Sequence, residues 1–212
     1  MRGVGRAALL CGLAALSWGS AAAAQGVSVV ARTDALPVRE AAWHGSEAHL
    51  FQDGAVALTC GSHGLFTTAV DPPARVGASV TADYAATFRG EVSLTPPAAG
   101  TSVTHALSVQ ARMAERVTLS SARRGTRVLD AELTIFELAG TDMPPGILVR
   151  ESPTKPSTGR YVITAVRHGY RIEGFYDVWL DLSLNGGRSW HAAEAPVHMW
   201  LEPQPERPRL SS

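Results

Sequence analysis

The segment 174–190 alternates apolar and polar residues, breaks at an Asn-Gly-Gly run, and closes on a tryptophan. Successive side chains of a β-strand point to opposite faces, so this alternation is typical of a strand with one buried and one solvated face. Asn185 and Gly186 both tolerate the positive φ that a tight two-residue turn requires. The segment therefore predicts a β-hairpin. Its predicted inner face holds Tyr176, Val178, Leu180, Leu182 and Leu184, and its outer face holds Asp177, Trp179, Asp181 and Ser183.

The same strand-like patterning recurs in short runs along most of the chain. These runs are 56–59, 65–70, 76–94, 102–109, 127–135, 147–149, 161–166 and 197–201, with 60–64 as a turn-rich connection. In the run 127–135, the residues that share the predicted apolar face are Leu129, Ala131, Leu133 and Ile135. Short strands separated by Pro- and Gly-rich turns favour an all-β fold. We expect an antiparallel β-sandwich, either as one unit or as two packed halves, with little or no helix.

The N-terminus has the pattern of an export signal. Arg2 and Arg6 precede an apolar run at 7–18, which is too short to span a bilayer as a helix. The small residues that end at Ala24 suit a signal peptidase, so we expect residues 1–24 to be removed. A transmembrane anchor or a buried N-terminal helix is the less favoured alternative. The protein is then expected to be secreted, in the periplasm or outside the cell.

The remaining chain suits one domain, at 25–202, followed by a flexible tail at 203–212. A sub-boundary near 96–101 is a second option, because prolines cluster there. The chain has 19 basic and 19 acidic residues, and this balance argues against a nucleic-acid partner. Signal removal leaves Cys60 as the single thiol, so no intramolecular disulfide is expected. A buried thiol is favoured over a nucleophile paired with His63.

The turn of the predicted hairpin resembles an Asp-box, with Asn185 where that motif usually carries aspartate. Asp-boxes occur in sialidase-like propellers and in other β proteins, where they staple a hairpin. The resemblance therefore implies local structure rather than glycosidase activity. The residues that carry this structural role are Ser183, Asn185, Gly186, Gly187 and Trp190.

Four acidic residues fall on the outer faces of two predicted strands: Asp130, Glu132, Asp177 and Asp181. If those strands are neighbours, like charges face each other unless a cation or an arginine intervenes. Carboxylate oxygens would select Ca²⁺ over a softer metal. The alternative, which we favour, is a solvated face with ordinary ion pairs, and Arg150 and Arg171 are the candidate partners. Apart from this calcium ion, no cofactor is expected.

The spacing of Asp181, Ser183 and Asn185 also imitates the opening of an EF-hand calcium loop. The imitation ends at Ala192, which stands where the bidentate glutamate belongs. The flanking segments are predicted strands, whereas an EF-hand loop joins two helices. We therefore do not expect an EF-hand.

Trp179 and Trp200 both fall opposite core-facing neighbours, so each is predicted to lie on the outer side of its strand. Exposed aromatic side chains of a secreted β protein can stack on sugars or cover a protein partner. An overlying loop that buries them is the alternative, and the sequence does not decide between the two. They are the candidate residues of a ligand or partner surface.

Residues 129–201 resemble a family of uncharacterised exported bacterial proteins, some of which end in a Pro-Glu-Pro sorting signal. The resemblance lies in the Arg-Glu-Ser-Pro-Thr segment at 150–154 and in the Phe-Tyr-Asp-Val hairpin at 175–178 with its Asn-Gly-Gly turn. This chain departs from the family pattern at Tyr176, where phenylalanine is usual, and at Asn185, where aspartate is usual. The resemblance implies an extracellular, non-enzymatic β domain and supplies no activity.

These features favour a secreted structural or interaction protein whose partner is a glycan or a protein. The alternative is an extracellular hydrolase that acts on a polymer. A buried pocket with convergent acids or a Ser-His pair would favour the hydrolase. A shallow patch around Trp179 and Trp200 would favour binding.

The export signal leads to the first testable prediction. Mass spectrometry of the secreted protein should find Gln25, or its cyclised form, at the N-terminus, because signal peptidase cuts after small residues such as Ala24. A mature pool that still carries Met1 would contradict the expected cleavage.

Overall fold

A computed structural model describes residues 27–95 and 101–204. The expected signal peptide, the residues 96–100 of the suggested sub-boundary and residues 205–212 of the expected tail lie outside the described residues. Within the described part, thirteen strands follow one another: β1 Val29–Ala31, β2 Ala41–Gly45, β3 Ala48–Phe51, β4 Val56–Gly64, β5 Ser79–Leu94, β6 Val103–Arg123, β7 Thr126–Ala139, β8 Leu148–Glu151, β9 Ser157–Val166, β10 Gly169–Val178, β11 Leu180–Ser183, β12 His191–Ala192 and β13 Val197–Pro203.

All these strands belong to one antiparallel sheet, and eight of them close into a barrel. In order round the barrel they are β10, β13, β2, β4, β5, β6, β7 and β9. The closing strand is β9, which pairs with β7 along one edge and with β10 along the other. The all-β, antiparallel expectation is confirmed for the described residues, which contain no helix. The sheet closes on itself, however, instead of stacking as the two layers of the expected sandwich, because β9 joins β7 to β10.

The long strands β5 and β6 pair with each other from end to end, so one sheet runs across the suggested sub-boundary near 96–101. The segment 110–117, where apolar residues also recur at helical spacing, lies inside β6. Strand β13 extends to Pro203, the first residue of the expected tail. No helical segment in residues 27–95 and 101–204 has the length and apolarity of a membrane span.

A bulge carries β4 straight through the predicted connection at 60–64. Its pairing with β5 shifts between Cys60 and Ser62, which leaves Gly61 as the extra residue. Because one inserted residue reverses the alternation, Cys60 and His63 are both buried. Of the predicted strand at 65–70, only Val70 forms a bridge, with Leu36.

A second bulge changes the inner face of β7. Ala114 faces Ile135 and Glu115 faces Leu133, so Thr134 is the extra residue. Beyond the bulge the inward position moves from 135 to 136: Phe136 is fully buried and Ile135 is partly exposed. The prediction that Ile135 shares the apolar face with Leu133 is therefore wrong. The alternation that supports it is interrupted by a bulge that the apolar pattern does not show.

Aromatic side chains fill the middle of the barrel. Trp43 meets Tyr161 and Tyr176 edge to face, with ring centroids 5.6 and 5.0 Å apart. The two tyrosine rings also meet edge to face, at 6.2 Å. Such geometry contributes about 0.5–1.5 kcal/mol per pair beyond burial of apolar area. The three rings come from β2, β9 and β10, so they join the closing strand to its neighbour β10 and to β2, two places beyond β10 round the barrel.

The seam between β9 and β10 is tight at Gly159. A Cβ added there would lie 2.2 Å from the carbonyl oxygen of Phe175 and 2.7 Å from Cδ1 of Tyr176. Real Cβ atoms do not approach backbone so closely, so any larger residue must push the two strands apart. Glycine at 159 is therefore a condition for closing the barrel with Tyr176 turned inward.

We expect Gly159→Ala to lower the free energy of unfolding by about 2 kcal/mol or more, because overpacking at this seam strains backbone and the Tyr176 ring together. Denaturant unfolding followed by tryptophan fluorescence measures the effect. The matched control is Thr158→Ala, on the exposed side of the same strand, which should change stability by less than about 1 kcal/mol. Equal midpoints for the two variants would contradict the tight seam.

Candidate functional site

A row of polar and aromatic side chains crosses the outer wall of the barrel. Cross-strand pairing places Asp130 of β7 beside Arg160 of β9, Arg160 beside Phe175 of β10, and Phe175 beside Trp200 of β13. A second row lies one step along the strands, where Thr158 sits between Glu132 and Asp177, and Asp177 faces His198. We call the surface of these two rows the outer strip: Asp130, Glu132, Thr158, Arg160, Phe175, Asp177, His198 and Trp200.

One half of the outer strip is a ladder of flat rings. The rings of Phe175 and His198 stack at 5.5 Å with an interplanar angle of 26°, and those of His198 and Trp200 at 6.5 Å and 29°. Phe175 is 37% exposed, which is high for a phenylalanine on a barrel wall. Trp200 is partly buried, and its indole nitrogen donates to Glu202. The ladder therefore presents apolar ring faces and edges to solvent.

The other half of the outer strip carries fixed charges. Arg160 donates to one oxygen of Asp130 through Nε at 3.0 Å and Nη2 at 2.9 Å. Arg116 of β6 pairs with Glu132. The His198 ring lies 2.8 Å from Asp177, which links this half to the ring ladder. An open, shallow groove follows these groups, and Phe175 lines one end of it.

The structure separates the four carboxylates of the predicted cation site. Asp130 and Glu132 lie on β7 and Asp177 lies on β10, with β9 between them, so the two groups are about 10 Å apart. Asp181 lies further along, on β11, and is buried. The part of the chain that the structure describes holds no group of three or more His, Cys, Asp or Glu suited to a metal ion. Calcium binding stays a prediction from the sequence.

Of the two arginines expected to neutralise these acids, Arg150 does so. Its Nη2 lies 3.4 Å from Asp181. Arg171 forms no ion pair with any described residue, because it lies at the start of β10, opposite Val30 of β1 and far from the acids. Three of the four acids take partners from neighbouring strands that the sequence analysis did not name.

The predicted hairpin forms, but its loop is longer than a two-residue turn. Strand β11 pairs with β12, and residues 184–190 connect them. Ser183 Oγ accepts from the amide of Gly187 at 2.9 Å, and Asn185 Oδ1 accepts from the amide of Ser189 at 2.9 Å. Gly186 and Gly187 have φ of 69° and 87°. The structural role of these residues is thus a folded-back loop that covers the end of β11.

The burial of residues in this hairpin differs from the prediction on its outer face. Tyr176, Val178, Leu180 and Leu182 are buried as expected. Asp181 and Ser183 are buried as well, although they were expected on the solvated face. Strand β8 and the loop flank β11, and Arg150 lies between Asp181 and Trp190, with its guanidinium carbon 3.9 Å from the Trp190 ring centroid. Trp190 is therefore partly exposed beneath an arginine rather than inserted in the core.

The two candidate tryptophans lie on the same side of the sheet but do not touch. Trp179 follows β10 and is partly buried, with Lys155 Nζ 4.0 Å from its ring centroid. Trp200 faces Phe175 on β10. Phe175 precedes Trp179 by four residues, which corresponds to about 13 Å along a strand. The ring between Phe175 and Trp200 belongs to His198. Sequence reasoning missed Phe175 and His198, although Phe175 continues the odd-numbered outer face of β10.

Glu151, at the end of β8, is a half-buried carboxyl that the sequence analysis did not single out. Burial raises its pKa to about 7, the charges of Glu132 and Asp181 add to the rise, and hydrogen bonds from Ser157 oppose it. The amide of Ser157 donates to Oε1 at 3.4 Å. A carboxyl that titrates near neutrality can act as a general acid. No sequence signal marks it, because the shift arises from burial.

The barrel interior contains a buried polar group, the carboxyl of Glu115. Glu115 is fully buried and accepts hydrogen bonds from Tyr161 at 2.9 Å and Tyr176 at 2.6 Å. Burial raises its pKa despite these two bonds. Both tyrosines reach the same oxygen, so the three groups form a small polar centre under the aromatic rings. They act on stability, because solvent does not reach them.

Cys60 is the buried free thiol that the sequence predicts. Burial raises the pKa of its thiol to about 12, so it is protonated and unreactive. Burial also lowers the pKa of His63 to about 3. The His63 ring packs against Phe88 and Phe136, and its nitrogens have no hydrogen-bond partner among the described residues. No thiolate–imidazole pair forms here.

The chain matches no protein-family profile, no curated protein and no solved structure. The similarity of residues 129–201 to exported bacterial proteins therefore stays a prediction from the sequence. What the protein does has to be argued from the outer strip and its surroundings.

The buried carboxyl of Glu115 leads to a prediction about pH. Its folded pKa lies above the ordinary value of 4.5, so its contribution to stability is present below pH 4.5 and is lost as pH rises toward the folded pKa. Glutamine does not ionise, so Glu115→Gln does not lose stability in this way as pH rises. Above pH 4.5, the free energy of unfolding of the variant should therefore increase relative to that of the wild type, by up to about 1.4 kcal/mol per pH unit.

Denaturant titrations between pH 4 and pH 8 measure this difference. Exposed Glu91 supplies the control, since Glu91→Gln should follow the wild-type profile at every pH. A constant difference between Glu115→Gln and wild type would show that the carboxyl is not held protonated in the folded state.

Proposed function

We propose that this protein is a secreted, non-enzymatic binding protein whose outer strip takes a glycan. The observation that carries the proposal is the ring ladder of Phe175, His198 and Trp200 beside a groove with fixed charges. A sugar ring has an apolar C–H face and a rim of hydroxyl groups. Aromatic rings suit the face, and carboxylate, guanidinium and imidazole groups suit the rim.

The shape of the groove supports a polymer rather than a small enclosed ligand. It is open to solvent along its length and lies on the wall of the barrel. The interior is filled by side chains such as Trp43, Phe88 and Phe136, which leaves a ligand the outer surface. An eight-stranded barrel either fills its interior with side chains or holds one small ligand, and this one is of the filled kind.

The ion pairs within the outer strip also favour recognition. Arg160 is held by Asp130, and His198 by Asp177, so each donor keeps one orientation before a ligand arrives. Fixed donors lose little rotamer entropy on binding, which lowers the cost of forming a complex.

One observation favours the alternative of an extracellular hydrolase. Glu151 has a pKa near 7, whereas Glu132 is paired with Arg116. Two carboxyls whose environments differ in this way can divide the roles of acid and base in glycoside hydrolysis. The binding proposal expects no reducing ends to appear when the protein is incubated with a polysaccharide that it retains. Release of reducing ends that is lost in Glu151→Gln would establish the hydrolase instead.

The glycan proposal is tested by retention on immobilised cellulose, xylan, chitin and dextran. At least one polymer should retain the wild type, and Phe175→Ala and Trp200→Ala should each weaken that retention about ten-fold, because each removes a stacking face. Val103→Ala is the control, since Val103 is also exposed but lies on β6, away from the outer strip. Retention that is unchanged in both aromatic variants, or absent from all four polymers, would refute the proposal.

A further inference from the structure

Two hairpin turns and a short strand bring arginines together at one end of the barrel. The turn between β6 and β7 contacts the turn region of β9 and β10, where the amide of Ala165 donates to the carbonyl of Gly125 at 2.8 Å. Strand β1 lies beside the start of β10. We call the surface formed there by Arg32, Arg123, Arg124, Arg127, Arg167 and Arg171 the basic end.

Acidic side chains of the described residues neutralise little of this charge. Arg127 pairs with Asp34. The other five arginines are exposed and form no ion pair with any residue in 27–95 or 101–204. The chain as a whole has equal numbers of basic and acidic residues. The local excess of positive charge therefore arises from the fold and is not evident from the composition. Such an excess creates a local positive potential that attracts polyanions.

The basic end is concave between its turns. An open groove there is lined by Arg123, Arg124 and Arg127, together with Asp34 and the partly buried ring of Tyr170. Arg127 is partly buried and pairs with Asp34, whereas Arg123 and Arg124 are exposed. A groove of this kind accepts a chain, whereas a flat bilayer would meet only the tips of the turns.

We infer that the basic end binds an acidic polysaccharide through its carboxylate or sulfate groups. The planar guanidinium group donates two parallel hydrogen bonds to such oxyanions and is more weakly hydrated than an ammonium group. The choice of a saccharide rests on the proposed function. Arg171 and Phe175 are both exposed and lie four residues apart on β10, so about 13 Å of strand separates the basic end from the outer strip. One polymer can contact both surfaces.

The probe is dextran sulfate, and unsulfated dextran of the same length is the matched ligand control. Dextran sulfate should bind the wild type at least ten-fold more tightly than dextran, and its affinity should fall as salt rises, because binding releases counterions. The double variant Arg123→Gln/Arg167→Gln removes one arginine from each turn and should weaken binding of dextran sulfate about ten-fold or more.

The control variant is Arg89→Gln/Arg188→Gln, which removes the same charge from two exposed positions outside the basic end and should change the affinity less than two-fold. Equal weakening by both double variants would overturn the inference, since the attraction would then be diffuse. Tighter binding to phosphatidylglycerol vesicles than to dextran sulfate, at equal anionic charge, would overturn it in favour of a membrane surface.

The proposals for the outer strip and for the basic end can be refuted independently of each other. Suppose that binding of dextran sulfate needs Arg123 and Arg167 but is unchanged in Phe175→Ala. This result would support the inference about the basic end, even if no neutral polymer binds. Suppose instead that a neutral polymer is retained through Phe175 and that dextran sulfate is not preferred. This result would support the proposal for the outer strip and refute the inference about the basic end.

Discussion

The pairing of β9 with both β7 and β10 is the interaction on which the rest of the structure depends. It closes the barrel and places Tyr161 beside Tyr176 and Trp43 inside it. It also puts Arg160 between Asp130 and Phe175 on the outside. Without this strand, the charged half and the aromatic half of the outer strip would lie on opposite edges of an open sheet. The core and the candidate site thus share one structural cause.

Closure of the barrel involves hydrogen bonds to a buried carboxyl as well as apolar packing. Glu115 sits among the aromatic rings and accepts from tyrosines of β9 and β10. A buried carboxyl costs free energy unless it is neutral or hydrogen-bonded, and this one is shifted toward the neutral form. We interpret the centre as a device of specificity, because only strands that are paired in the native register bring both hydroxyl groups to one oxygen.

The outer surface shows how a chain without net charge can carry strong local fields. Across the outer strip, acids and bases alternate between neighbouring strands, and ion pairs such as Asp130 with Arg160 cancel locally. At the basic end, arginines from separate turns converge and find few acids. The first surface suits oriented hydrogen bonding to a neutral polymer, and the second suits attraction of a charged one. Both surfaces lie along β10, where Arg171 and Phe175 are separated by about 13 Å of strand.

Local patterns in the sequence indicated parts of the strands β4 to β11 and β13, the inner residues Tyr176, Val178, Leu180 and Leu182, and the buried Cys60, because alternation and residue type act over a few neighbours. Tertiary structure alone decided closure in place of a sandwich, since the pairing of β9 with two distant strands leaves no local signal. The bulge at Thr134 moved Ile135 off the apolar face, and Asp181 is buried on β11, which lies between β8 and β12. Phe175, His198 and the arginines of the basic end became a surface only through register between strands far apart in the chain. Contacts of this kind depend on long-range geometry, which period-two patterning does not encode.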